Sequence, residues 1–350
     1  MRFLRFLLFP LSILYASITS FRNWLYKVRI KRSFKFSLPI INIGNLNMGG
    51  TGKTPHIEYL IRLLKQDHHL ATLSRGYGRK VYGFQLANSE SSALSIGDEP
   101  MQFQYKYGNE ITVAVDTDRV NGATEICYRK EETDLILLDD AFQHRAIQAG
   151  LNILLTDFYQ PFYNDYILPV GNLRELRSGM KRADIIIVTK CPDFSKTNQQ
   201  KISQNINPKP HQTVFFSKIK YGNILGLTKI NNFNKSRSKL IVVSGIANPN
   251  PLIEHLSQNH VILKHFKYPD HYQYKEKDIV EIHNLLTKFA DEDVSIITTE
   301  KDAMRLKSDQ FKTLIDDKPW FYQEIEVVID EAERFEKLIF DYVQKNRRDY

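Results

Sequence analysis

Cysteine is scarce in this sequence: Cys127 and Cys191 are the only two among 350 residues, and they stand far apart. Two such residues build neither a disulfide framework nor a zinc ligand set, which suits a reducing, cytosolic compartment. Acidic residues are missing altogether before Glu58, whereas nine of the 48 basic residues lie in that stretch. The remainder carries 39 basic against 40 acidic residues and is close to neutral. The formal charge of +8 therefore belongs to one end of the chain. A nucleic-acid binder would spread a basic stripe over its folded surface, so no nucleic-acid partner is expected. Internal repeats and low-complexity tracts are also missing. What remains is ordinary globular composition, 42% hydrophobic and 25% charged, which excludes a disordered or fibrous chain. At this length two domains are the expectation.

From Phe6 to Phe21 a densely apolar run carries no charge, with Arg2 and Arg5 before it and the basic stretch from Arg22 to Lys35 after it. As a helix this run would reach about 24 Å, short of a hydrocarbon core of ~30 Å. Pro10 falls where it should interrupt that helix. A span would also carry one basic flank across the bilayer, against the positive-inside tendency. Trp24 and Tyr26 stand where aromatic rings would meet headgroups. These features predict an interfacial, membrane-anchoring helix over residues 1–36, peripheral or monotopic, with each cation over anionic lipid worth ~1 kcal/mol. No small-residue cleavage site of a signal peptide follows. The bland alternative is the buried first helix of a globular domain.

Beyond it, short β-rich runs alternate with helical stretches, the pattern of a parallel sheet with crossover helices. Strands are expected at Ile40–Ile43, Leu70–Ser74, Thr112–Val115, Leu135–Leu138, Asn152–Leu155 and Ile185–Thr189. Helices are expected at Thr54–Gln66, Pro100–Tyr107 and Arg119–Lys130. Residues Ser195–Gln212 are polar, contain Pro208 and Pro210, and read as an inter-domain stretch. A smaller α/β unit should follow, with strands Thr213–Ile219, Leu240–Val243, Val261–Phe266 and Val294–Thr298 and a helix near Lys277–Phe289. The fold class is thus α/β, a P-loop-type parallel-sheet core over 37–212 with a second α/β domain over 213–350 closing on its cleft.

The strongest chemical signal is the run from Ile40 through Gly44, Gly49, Gly50, Thr51 and Gly52 to Lys53 and Thr54. A buried strand enters a glycine-rich turn and then a helix. Such a turn lets backbone N–H groups converge on phosphate oxygens, and the helix N-terminus adds partial positive charge. Lys53 would neutralise the β- and γ-phosphates of ATP, and the Thr54 hydroxyl would ligate Mg²⁺. Asn47 stands where the full phosphate-loop pattern has its first glycine. Leu135–Leu138 ends in Asp139 and Asp140, at the carboxyl end of a strand, where they would serve that metal; which one lies nearer to it is open. A guanine-reading sequence is missing, because Thr189-Lys190-Cys191 is followed by Pro192 in place of an aspartate.

Several blocks, taken in order, resemble the tetraacyldisaccharide 4′-kinases of lipid A synthesis. They are Gly44-Asn45 with Gly49 to Pro55, Ser74 to Gly78, Gly97-Asp98-Glu99-Pro100, Asp139 to His144, Leu168 to Glu175, Pro269-Asp270-His271, and Thr299-Glu300-Lys301-Asp302. They span about residues 40 to 305, and that family's loop also lacks the first glycine. Ala141 departs mildly, standing where many members have glycine.

The resemblance implies transfer of the ATP γ-phosphoryl to the 4′-hydroxyl of a membrane-embedded glycolipid, a tetraacyl glucosamine disaccharide 1-phosphate. It implies work at the inner leaflet, on the cytoplasmic face of the bacterial inner membrane, with no obligate protein partner. By the same resemblance Asp98 is the candidate base and His271 the group that orients or tunes it. Asp98 before Glu99-Pro100 would also make a good helix N-cap. Arg75, Tyr77, His144 and Arg174 are the candidates for acceptor recognition, with solvated or structural roles as the alternative. Glu300, Lys301 and Asp302 match the family without an evident physical role. The competing function is a membrane-attached ATPase switch acting on a protein partner; a nucleic-acid-stimulated NTPase is a more distant third.

Overall fold

The computed structural model describes residues 5–230, 233, 239–289 and 293–347. A short 3₁₀ turn leads into α1 (Phe9–Lys27). Then follow β1 (Ile40–Asn45), α2 (Lys53–Leu64), β2 (Leu70–Ser74), β3 (Gln85–Leu86), α3 (Asp98–Tyr107), β4 (Thr112–Val115), α4 (Arg119–Arg129), β5 (Leu135–Asp139), β6 (Leu151–Asp157) and β7 (Ile185–Thr189). The chain continues through α5 (Lys196–Ile206), β8 (Thr213–Gly226), β9 (Lys239–Ser244), α6 (Asn250–Ser257), β10 (Val261–Lys267), α7 (Glu276–Thr287) and β11 (Val294–Thr299). It closes with α8 (Glu300–Leu306), α9 (Asp309–Ile315), β12 (Trp320–Ile329) and α10 (Ala332–Lys345).

All twelve strands join one sheet in the order β10-β9-β11-β12-β8-β7-β6-β1-β5-β2-β4-β3. Its pairings are parallel except β3 with β4 and β12 with β8. β8 links the two halves: Thr213–Phe216 runs parallel to β7, and Ser217–Gly226 pairs antiparallel with β12. The core follows the period-two alternation of strands. Ile41 and Ile43 of β1 pack with Ile57, Leu60 and Ile61 of α2, while Asn42 between them faces the other side. The same cluster receives Phe335, Ile339 and Val343 of α10, so the last helix returns to the first half of the sheet. Tyr342 ties it there, exchanging hydrogen bonds with the backbone of Ile40 at 3.0 and 3.1 Å. A second cluster, with Ile241, Ile279, Met304 and Trp320, fills the other half.

One local expectation is corrected, and one stretch gains an element that its composition did not announce. Pro10 does not break the N-terminal helix; it sits in the first turn of α1, where its missing donor would have no intrahelical acceptor. The polar stretch after Ser195 is a helix, α5, which sends Ile206 and Ile202 into the core beside Ile186 and Phe216. One apolar stripe was enough to fold a segment whose composition is otherwise polar.

α1 is turned against the usual sense of an amphipathic helix. Its polar stripe faces the protein: Ser12 bonds the 167–170 loop, Tyr15 donates to the Arg174 carbonyl at 3.0 Å, and Asn23 donates to Glu175 at 2.9 Å. Phe9, Leu11, Ile13, Leu14, Ile18, Phe21 and Trp24 face outward, each 50–60% exposed. The alternative of a buried first helix therefore fails. No helix among the described residues is long and apolar enough to cross a membrane.

Candidate active site

β1 delivers the chain into the glycine turn at the carboxyl end of the sheet. Gly49 and Gly52 take φ of +119° and +85°, conformations that side chains rarely adopt, and Gly52 leads directly into α2. The turn is braced from below. Asn45 donates to the Thr51 hydroxyl at 2.9 Å, and the Thr189 hydroxyl donates to the Thr51 carbonyl at 2.9 Å. Lys190, part of the sequence that failed as a guanine reader, donates to the Gly50 carbonyl and pairs with Asp157 at 2.8 Å. Lys53 and Thr54 open the first turn of α2.

β5 ends beside this turn. Asp140 adopts φ of +52° and accepts two hydrogen bonds from Arg174, at 2.8 and 3.0 Å, with the Lys53 ammonium 3.7 Å away. Burial alone would raise its pKa, but Lys53 and Arg174 hold it below the ordinary carboxylate value. Arg174, expected as a fork for the acceptor, is thus already engaged with the cradle. Asp139 is treated oppositely. Burial, aided by the charge of Asp140, pushes it up to about 7. Its Oδ2 accepts a long hydrogen bond from Ser74, and its Oδ1 is buried with no partner. Arg119, unremarked in the sequence, lies buried beneath both and donates to the carbonyls of Asp139 and Asp140 at 3.4 Å. His144 accepts the backbone N–H of Arg119 at 3.3 Å, off to one side of the cradle.

An orphaned buried carboxylate oxygen at the end of β5, beside the strand that leads into the glycine turn, fits a hard, oxygen-seeking cation. No group of three or more acidic, histidine or cysteine side chains gathers for a metal among the described residues. Mg²⁺ needs no such cage, since one or two carboxylates with substrate phosphates and waters suffice.

The second half of the cleft is built across the two halves of the sheet. Gly97, at φ +97°, precedes α3 and packs against Gly76, where an added Cβ would lie 3.0 Å from the Gly76 Cα. Gly97 thereby takes the N-cap position, and Asp98 starts the helix with its side chain free to look elsewhere. Asp98 is buried and reaches His271 Nδ1 at 3.1 Å, although the two stand 173 residues apart. His271, at φ +56°, makes its other ring contact with the Lys301 ammonium at 3.1 Å. That contact makes Nε2 the acceptor and Nδ1–H the donor to Asp98, an assignment from the network. Tyr77 sets its ring edgewise on His271, with centroids 5.1 Å apart, while Arg75 beside it is exposed.

Sequence reasoning missed Arg305. It is buried, donates to Asp98 Oδ2 through Nε at 2.9 Å and through Nη2, and sends Nη1 to Asp302 at 2.7 Å and to the Gly245 carbonyl. Burial would raise the Asp98 pKa, yet the hydrogen bonds of His271 and Arg305 keep it below the ordinary carboxylate value. These donors converge on Oδ2. The three motif residues that lacked a role now have partners. Lys301 joins His271 to Glu99, Asp302 anchors Arg305 and the Gly245 N–H, and Glu300 shares Lys106 with Glu58 at 2.9 Å each. Only their common motif could have flagged them. The two parts of the cleft are neighbours, since Ser74 bonds Asp139 and Tyr77, three residues on, packs against His271.

A glycine turn with its lysine, a strand-end acid pair, and an aspartate–histidine couple at the same cleft define a P-loop phosphotransferase, a kinase that uses ATP. Comparison narrows the class. The profile of the family described as LpxK, tetraacyldisaccharide-1-P 4′-kinase, matches residues 4–344. Tetraacyldisaccharide 4′-kinase of Flavobacterium psychrophilum is 47% identical over 99% of both chains. The enzyme of the same name from Bacteroides thetaiotaomicron is 40% identical over 97% of this chain and 94% of its own. Among solved structures, LpxK from Aquifex aeolicus in complex with ATP superposes with a TM-score of 0.75 at 27% identity, over 97% of this chain and 99% of that one. The chain belongs to the tetraacyldisaccharide-1-phosphate 4′-kinase family and is an ATP-dependent kinase of lipid A biosynthesis. The switch-ATPase alternative is not favoured.

Proposed function

We propose that this kinase moves the γ-phosphoryl of ATP to the 4′-hydroxyl of a tetraacyl disaccharide 1-phosphate while seated on a membrane surface. The observation that carries the catalytic assignment is the Asp98–His271 contact, formed between distant motifs and beside the phosphate cradle. Lys53 and the 49–54 backbone hold the β- and γ-phosphates, and Arg174 with Asp140 fixes the Lys53 ammonium in its place. Thr54, Asp139 and Asp140 would hold Mg²⁺. When bound, that ion screens the charge gathering on the transferring group.

Asp98 accepts the acceptor's hydroxyl proton at Oδ1, because Oδ2 already serves His271 and Arg305. A carboxylate of low pKa takes a proton late. That suffices for a loose phosphoryl-transfer transition state, in which alignment supplies most of the rate. His271, locked between Asp98 and Lys301, keeps the carboxylate oriented. Tyr77 and Arg75 sit at the exposed rim and meet the acceptor's sugar and phosphate, with His144 on the far side of Asp140. The outward apolar face of α1 rests in the lipid interface, supported by the cationic stretch after it. We place that surface on the cytoplasmic side of the inner membrane, where ATP is available, and infer no obligate protein or nucleic-acid partner. ADP release is the test: it should rise with detergent-dispersed tetraacyl disaccharide 1-phosphate, and equal rates with and without it would refute the acceptor assignment.

A further inference from the structure

A cavity of about 680 Å³ lies on the face of the sheet opposite α2, closed by the segment that follows α1 and by residues 141–149 rather than by a crossover helix. Its size is that of small-molecule sites, roughly 300–1,000 Å³. Six cationic side chains line it, Lys27, Arg29, Lys31, Arg32, Arg145 and Arg182, and no carboxylate does. Arg182 is satisfied by Glu175 at 2.7 Å, and Arg145 donates to the Asn23 carbonyl and lies over the Tyr26 ring. Lys27, Arg29, Lys31 and Arg32 form no ion pair among the described residues. The floor is polar. Asn42, 2% exposed, donates to Asn152 at 3.1 Å, but its own Oδ1 has no partner. A buried acceptor without a partner is costly, and a donor brought in by a ligand would relieve it.

We propose that this cavity binds a phosphate ester carrying a hydroxylated headgroup, a second anion site apart from the ATP cradle. The uncompensated cations take the phosphate, and a headgroup hydroxyl donates to Asn42 Oδ1. Because the cations directly follow the membrane-facing helix, an anionic phospholipid headgroup is the expected source, with free phosphate as the other. His144, placed with the acceptor above, also lines the cavity, so the site borders the proposed acceptor region, although neither ATP nor acceptor enters its test.

Calorimetry on the full chain in detergent would compare soluble dihexanoyl phosphatidylglycerol, dihexanoyl phosphatidylcholine and inorganic phosphate. Saturable one-to-one binding of phosphatidylglycerol, at least about tenfold tighter than phosphatidylcholine, is expected. Gln148→Trp fills the cavity without changing charge, and Arg29→Gln/Lys31→Gln/Arg32→Gln removes cations from the exposed rim. Each should weaken binding by about tenfold or more, whereas Lys277→Gln/Lys288→Gln/Lys337→Gln, of equal charge change elsewhere, should leave it intact. Saturable binding of phosphate alone, lost in the same two variants, would keep the anion site and overturn the headgroup. Absence of saturable binding by either probe, equal affinity for phosphatidylcholine, or an unaffected Gln148→Trp variant would overturn the proposal.

Discussion

Asp139 and Asp98 are both buried aspartates in one cleft, and they are held in opposite states. Asp98 has its counter-charges built in, with Arg305 bonded to Oδ2 and His271 backed by Lys301. Asp139 has a neighbouring like charge, an unpaired oxygen and a pKa pushed up to about 7. The Asp98 side is organised before any ligand arrives. The cradle side keeps an unpaired carboxylate oxygen, and in the proposed reading a cation carried in with the nucleotide would complete it. This division suits a kinase whose base must be aligned in advance and whose phosphate site must also release product.

Breaking the cradle side should have the largest effect. Lys53→Ala removes the cation that faces Asp140 and that, in the proposed reading, meets the transferring phosphate. Transfer should fall by about 10³-fold or more with the fold intact, read as product formation alongside circular dichroism. Asp98→Asn tests the organised side. Its turnover should drop by ~10²–10⁴-fold while ATP affinity, measured by titration calorimetry, stays near wild type. A parallel loss of ATP binding would mean that the two sides are not separable.

Arg305→Ala asks how much of the built-in order is structural. It leaves Asp98 and Asp302 buried without their shared partner, and denaturant unfolding should show a loss of ~3–5 kcal/mol. Arg305→Lys keeps the charge but not the fork, so it should recover part of that stability and less of the turnover.

The smallest expected effect concerns Glu300, which burial and the nearby Glu58 push up to about 7. Its folded pKa lies above the model-peptide value, so the folded state binds more protons between pH ~4.5 and ~7. Stability therefore falls as pH rises through that window, by on the order of 1–3 kcal/mol. Glu300→Gln should flatten the slope relative to wild type in thermal unfolding at several pH values. An unchanged slope would mean that Lys106 already compensates both carboxylates.

Much of this was legible in the chain. Leu70–Ser74, Thr112–Val115 and Ile185–Thr189 form strands with the expected bounds, because short runs without charged residues suit a sheet buried on both faces. The glycine turn was legible because strand, glycines and helix adjoin in sequence. Arg305 was not: its partner Asp98 is 207 residues away, and an arginine on a short helix carries no local mark of burial. The outward apolar face of α1 was read from uncharged composition, yet Pro10 misled. Its effect depends on whether a helix begins before or after it, which tertiary contacts of Ser12 and Tyr15 decide. β12 and α10 were absent from the expectations, since β12 is drawn into the sheet by β8 and α10 by a core formed from the far end of the chain.

The most direct measurement is the mass of the lipid itself. Purified enzyme given ATP, Mg²⁺ and a detergent-dispersed tetraacyl disaccharide 1-phosphate should convert it to a species heavier by one phosphoryl group, with the new group on the non-reducing sugar's 4′ oxygen. A lipid recovered at its starting mass while wild-type protein remains folded and ATP-bound would contradict the account.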